Sequence, residues 1–159
     1  MKTKASVTNA MRLLKQAGIE FETLEYDLGG REFSAGAVAE ELGIDPDDSF
    51  KTLCARGNKN EIALFVIAAG SELDLKKAAK ALNVKSVSLV HVKELLSIVG
   101  YERGSVSPVG TKKAFPVFID ENAMLLDRMI ISGGKKGISL RLEPERLREF
   151  LNAVYADIT

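Results

Sequence analysis

The chain has 159 residues, of which 46% are hydrophobic and 28% charged, the size and composition of a globular domain with enough apolar material for its own core. Twenty-two basic and 22 acidic side chains leave no net charge, which excludes a histone-like polycation but leaves room for a local basic face. One cysteine cannot form an internal disulfide and suits a reducing cytosol, no apolar run approaches the ~20 residues that span a bilayer, and residues 1–6 lack the apolar stretch of a signal peptide. The expectation is one cytoplasmic domain over residues 1–159, with no membrane contact.

Ser6 or Thr8 caps a first helix that puts Val7, Ala10, Met11, Leu14 and Ala17 on one face and ends at Gly18. Residues 21–26 alternate roughly and read as a strand. Ser34 caps a second helix through Val38, Ala39 and Leu42, closed by Gly43. Residues 45–49 form a turn, and residues 50–56 a strand. Gly57-Asn58-Lys59-Asn60 makes a hairpin returning through residues 62–69. That returning strand is apolar on both sides, which predicts a central, buried position.

Ser71 or Asp74 starts a helix carrying Leu75, Ala78, Ala79 and Leu82 on one face and Lys76, Lys77 and Lys80 on the other. Residues 86–90 read as a strand and 92–99 as a helix. Strands follow at 116–120 and 128–132, with a short turn or helix over 122–127 between them. Gly133-Gly134-Lys135-Lys136-Gly137 turns the chain into a strand at 138–142. Pro144 opens a last helix with Leu147, Phe150, Leu151 and Val154 inward. Mixed β–α alternation with two hairpins predicts an α+β fold: one mixed, strongly twisted, barrel-like sheet flanked by helices.

The chemistry-bearing residues are notable for what is missing. His91 is the sole histidine, and no Ser–His or Cys–His relay lies nearby in sequence. Cys54 sits in an apolar strand, where cysteine ordinarily behaves as a small hydrophobe rather than a thiolate. No spacing suggests zinc, and there is no G-x-S-x-G elbow, Walker lysine loop or dinucleotide fingerprint. No metal or cofactor is therefore expected. An enzyme with this inventory has no obvious nucleophile of its own.

What remains is a loop and a few polar side chains. The loop 100–113 contains Gly104-Ser105-Val106-Ser107-Pro108, in which glycine allows close approach to the main chain and proline fixes the contour. It reads either as an ordinary connection or as a rigid set of amides and carbonyls that positions a ligand. Lys51 follows the acidic turn. It is either a surface ion pair or a fixed cation facing a cleft, for a phosphate or a developing oxyanion. Tyr26 is a core tyrosine or a cover for a ligand. Ser132-Gly133-Gly134-Lys135 is a glycine hairpin or a phosphate cradle. Lysines 76, 77, 80, 85, 112, 113, 135 and 136 are solvated singly or gathered into one basic surface.

Taken together, Phe50-Lys51-Thr52-Leu53, the run from Leu73 to Leu82, Gly104 to Gly110 with Lys112-Lys113, and Ser132 to Gly137 resemble the YbaK group. These are bacterial Cys-tRNA(Pro) deacylases of the YbaK/prolyl-tRNA-synthetase-associated domain superfamily. The resemblance covers nearly the whole chain, and Tyr155-Ala156-Asp157-Ile158 extends it to the end. It implies trans-editing of Cys-tRNA(Pro), and of Cys-tRNA(Cys) by extension. The partners it implies are the 3′ aminoacyl-adenosine end of tRNA and prolyl-tRNA synthetase. The thiol of the substrate's own cysteine would attack the ester carbonyl and release a thiolactone. It further implies catalytic roles for Lys51, Gly104 and Pro108. Substrate contacts fall to Tyr26, Phe50, Thr52, Ser105, Val106, Ser107, Ser132, Gly133, Gly134 and Ser139. Ser139 departs from the family aspartate and Phe50 from a tyrosine. The first departure leaves open a deacylase for another small amino acid, such as alanine, or a non-catalytic tRNA- or synthetase-binding module.

Overall fold

The computed structural model describes residues 7–159, so a cap at Ser6 lies outside the described residues. Thr8 takes the cap position: its Oγ1 accepts from the Met11 amide at 3.1 Å, satisfying an amide that the first helical turn leaves without a partner. Helix α1 (Asn9–Gln16) buries Ala10, Met11 and Leu14, while Val7 and Ala17, expected on the same face, are exposed. Ser34 and Asp74 cap α2 (Ala35–Leu42) and α3 (Leu75–Leu82) in the same way. Gly43 and Asn83 end these helices in the left-handed conformation.

Strands β1 (Glu22–Glu25), β2 (Phe50–Gly57), β3 (Ile62–Ala68), β4 (Val87–Leu89), β5 (Val117–Asp120), β6 (Met129–Lys135), β7 (Ile138–Leu142) and β8 (Val154–Ala156) form two ladders. One is β1-β7-β6, antiparallel throughout. The other is β4-β2-β3-β5-β8, in which β3–β5 and β5–β8 run parallel. β3, apolar on both faces, is the central strand of the larger ladder, as its sequence predicts. Helix α4 (Leu95–Val99) follows a 3-10 turn at Val92–Glu94, and α5 (Pro144–Leu151) begins at its proline.

One expectation is corrected. Val154 is not on the inward face of the last helix. Asn152 ends α5 in the left-handed conformation, and Val154 lies exposed in the edge strand β8. The mixed β structure flanked by helices is as expected, and its two ladders do not close into a barrel. The chain just before β2 meets β6 at a single bridge, Ser49 with Ile130, where the Ile130 amide donates to the Asp48 carbonyl at 2.9 Å. A bulge between Ser132 and Lys135 bends β6 beyond it.

The larger sheet has a layer on each face. Toward one side Phe65, Ile67, Ala55 and Phe118 pack with Ala78 and Ala79 of α3 and with Ile158. Toward the other, Cys54, Leu64, Val66 and Ile119 pack with α1 and with Met129, Ile131 and Leu140 of the smaller sheet. β4 pairs with β2 only at Ala55–Gly57. Among the described residues, the β2 edge from Lys51 to Leu53 therefore has no strand beside it. No helix among the described residues is long and apolar enough to cross a membrane.

Candidate active site

A cavity of about 370 Å³ opens at that uncovered edge, within the size range of small-ligand sites. Lys51, Phe50 and Thr52 reach it from β2, Tyr26 from the chain just after β1, Gly104 and Val106 from the loop, Ser132 from β6 and Ser139 from β7. The sequence separates these residues by over a hundred positions. The seam between the two ladders brings them onto one wall system. Its rim is completed by Phe33, Ser34 and Ala35 at the start of α2, by Arg103, and by Leu89, Val92 and Leu95 around the 3-10 turn.

The lining carries two cations, Lys51 and Arg103, and no aspartate or glutamate. The first turn of α2 adds the positive end of its dipole. The site is therefore electropositive and suited to an anionic group. The Lys51 ammonium is half-buried and donates to the Ala69 carbonyl at 3.2 Å, which holds one of its three donors and leaves the others for a ligand.

The glycine–proline loop is rigid for reasons the structure makes explicit. Gly104 is buried with φ +97°, a conformation that favours glycine. Ser105 donates through its hydroxyl to the Glu102 carbonyl at 3.0 Å, and its own carbonyl accepts from Ser132 Oγ at 3.0 Å. Ser132 Oγ in turn accepts from the Gly134 amide at 3.1 Å. Ser107 is fully buried, its hydroxyl accepting from the Val109 amide at 3.2 Å. Ser105, Ser107, Pro108, Gly133 and Gly134 consequently do not line the cavity. They stand behind its wall and hold Gly104, Val106 and Ser132 in place. This corrects the expectation that all of residues 104–108 and 132–134 face a ligand.

Tyr101 is the brace that sequence reasoning missed. Its hydroxyl donates to the Val109 carbonyl at 2.6 Å. A Cβ on Gly110 would lie 2.9 Å from that oxygen, and one on Gly134 3.2 Å from it. One phenol thus fits between the loop and the β6–β7 hairpin, and both glycines are small to admit it. Burial pushes its pKa up, so it stays a neutral donor. The signal in the sequence was a tyrosine directly after Gly100, with glycines at two later turns.

Cys54 lines the cavity, but burial pushes its thiol up to about 11, with Arg56 lowering it and Glu94 raising it less strongly. At neutral pH it is a thiol and not a thiolate. His91 is exposed and does not line the cavity. The basic side chains do not form one surface: α3, with Lys76, Lys77 and Lys80, covers the face of the larger sheet opposite the smaller sheet and its Lys135–Lys136 hairpin. Lys77 is paired with Asp157 at 3.0 Å.

Residues 32–150 match the family described as the aminoacyl-tRNA editing domain. A protein of Enterococcus faecalis named "Putative Cys-tRNA(Pro)/Cys-tRNA(Cys) deacylase EbsC" is 41% identical over 152 residues, 96% of this chain and 93% of that protein. A proline–tRNA ligase of Shouchella clausii is 30% identical over 63% of this chain, which corresponds to 17% of the ligase. Among solved structures, "Crystal structure of a putative trans-editing enzyme for prolyl tRNA synthetase" superposes with a TM-score of 0.82 at 24% identity, over 97% of this chain and 99% of the other.

Proposed function

The chain belongs to the aminoacyl-tRNA editing domain family and is an aminoacyl-tRNA deacylase; we propose that it removes cysteine from mischarged Cys-tRNA(Pro), with Cys-tRNA(Cys) as a second substrate. The observation that carries this reading is the meeting of Lys51, Gly104, Ser132 and Ser139 in one carboxylate-free cavity. A synthetase pocket built for proline rejects a smaller side chain only weakly, so a second site must correct the error.

The proposed reaction takes its nucleophile from the substrate. The cysteine thiol loses its proton and its sulfur bonds to the ester carbonyl carbon. The bond from that carbon to the terminal ribose oxygen breaks, and that oxygen receives the proton. The products are tRNA with a free terminal hydroxyl and the cyclic thiolactone of cysteine, which water then opens. In this scheme the protein supplies geometry and charge. Holding reacting groups in place is worth effective molarities of about 10⁵–10⁸ M. Lys51 neutralises the terminal phosphate or the developing oxyanion, and Gly104 and Val106 hold the acyl and amino end through the main chain. Pro108 keeps that main chain in place from behind. Tyr26 and Phe50 border the amino-acid end, with Thr52 beside Lys51. A protonated Cys54 and an exposed His91 outside the cavity lining fit a protein that owns no nucleophile.

The test is Cys-tRNA(Pro) with its thiol alkylated. Release of the unmodified amino acid with none from the alkylated one is expected. Equal rates would mean attack by water and overturn the scheme.

A second amino-acid preference rests on one observation. Ser132 and Ser139 are cross-strand partners and both line the cavity, so beside Ser132 the neutral hydroxyl of Ser139 stands where the resemblance implies a carboxylate. A neutral wall fits a deacylase for alanine or another small residue. Comparing Cys-tRNA(Pro) with Ala-tRNA(Pro) decides between them. We also propose that tRNA choice comes from a complex with prolyl-tRNA synthetase, because a chain with zero net charge has little long-range attraction for phosphate. Weak, unselective tRNA binding by the protein alone, sharpened by added synthetase, is the expected result.

A further inference from the structure

Six basic side chains, Arg31, Arg56, Lys77, Arg128, Arg141 and Arg148, each pair with a carboxylate. Arg103 and Lys136 do not, and neither do several lysines elsewhere among the described residues, Lys76 and Lys80 among them; what sets Arg103 and Lys136 apart is their place. Among the described residues neither has a carboxylate within 4.0 Å or a side-chain hydrogen bond. Both are exposed. Both also stand at Gly104. Arg103 precedes it and lines the cavity. The stem of Lys136 crosses over it, with Cγ 3.5 Å and Cε 2.8 Å from where a Cβ would lie. That packing of the aliphatic stem fixes where the ammonium emerges, one bond beyond Cε.

We propose that Arg103 and Lys136 form a subsite for the phosphodiester backbone of a single-stranded RNA end, gripping the nucleotides that precede the one held in the cavity. The proposal rests on the deacylase reading for the identity of that RNA. The physical reason is complementarity: two uncompensated cations bracket the buried loop glycine of a cavity whose lining holds no carboxylate. A chain leaving that cavity past Gly104 meets them both, and its charge repeats at every nucleotide. Arg103 has the planar fork for bidentate phosphate contact, whereas Lys136 is a point charge.

The test measures binding of an uncharged acceptor-stem RNA hairpin ending in single-stranded CCA, over about 50–200 mM salt. Wild type is compared with Arg103→Gln/Lys136→Gln and with Lys76→Gln/Lys80→Gln, which removes the same charge from α3 on the far side of the sheet. The first variant is expected to bind about ten-fold more weakly at low salt, with a log–log salt slope shallower by about 1.4, two single-strand phosphate contacts. The α3 variant should lose much less, and a blunt hairpin lacking the CCA end should not distinguish the first variant from wild type. Equal losses from both variants, equal losses on the blunt hairpin, or an unchanged slope would overturn the subsite. Deacylation by wild type is measured in parallel: its absence, with the binding difference intact, would sink the deacylase reading and leave this subsite standing.

Discussion

The two faces of the larger sheet are made from alternate residues of the same strands, yet they are built to different ends. On the α3 face Phe65 and Phe118 stack with centroids 5.3 Å apart, Ile67 and Ile158 are fully buried, and the lysines above them are solvated or paired with Asp157. On the opposite side the packing stops short at the edge of β2, where Thr52 and Cys54 border open space, and Lys51, from the alternate set of residues, meets the same cavity around that edge. Lysines on α3 and lysines at the cavity look alike as sequence. What separates them is whether the neighbouring layer closes over the sheet or leaves an edge uncovered.

The largest expected effect tests the closed face. Phe65→Ala removes a fully buried ring and should cost about 3–5 kcal/mol of stability, read as a shift in denaturation midpoint. Protein that remains folded should keep its ratio of cysteine to alanine release; a changed ratio would show that the two faces are coupled. Next comes the open face. Lys51→Ala should reduce cysteine release from Cys-tRNA(Pro) by about 10²–10³-fold with the midpoint nearly unchanged. Full activity in this variant would remove Lys51 from the reaction. Tyr101→Phe deletes one hydrogen bond between loop and hairpin and should cost about 1 kcal/mol. It should raise KM more than it lowers kcat, because the wall loosens while its charges remain.

The Cys54 thiol gives a pH signature. Its folded pKa is raised by burial to about 11 from 9.0, so the unfolded chain ionises first as pH rises. Stability contributed by the buried thiol is complete below about pH 9 and is lost between there and about 11. Cys54→Ala removes this loss, so its stability should fall less than the wild type's between about pH 9 and about 11, while neutral-pH catalysis stays in place. Persistent loss of activity in Cys54→Ala would give the thiol a chemical part. Smallest of all, Lys77→Ala breaks an exposed pair with Asp157. It should change neither midpoint nor rate beyond scatter, since such pairs are screened by water and salt. A large loss would mean the solvated helix face takes part in tRNA binding.

Much of this was legible from local pattern. Thr8, Ser34 and Asp74 announced helix starts because a short polar side chain satisfies a free amide wherever it precedes an apolar stripe. The apolar run of β3 announced a central strand. The loop's glycine and proline announced rigidity. Ser107 and Pro108 were legible as rigid but not as buried, because a motif carries spacing and not direction. Arg103 gave no signal, since a lone arginine in a loop is ordinarily solvated. Val154 was misplaced because helical periodicity ran on past Asn152, whose left-handed turn is a backbone event outside that pattern.

The sequence by itself determined the elements up to the last helix, their order, the family resemblance and the absence of an obvious nucleophile, all of which depend on residue type and short-range spacing. Only the tertiary structure decided that two ladders meet at one bridge and leave the edge of β2 uncovered. That decision depends on contacts between residues as distant as Tyr26 and Gly137, whose amide and carbonyl meet at 2.9 Å, and on a loop whose rigidity is supplied by Tyr101 and Ser132. Long-range packing chooses which polar groups share a cavity, and no local pattern encodes that choice.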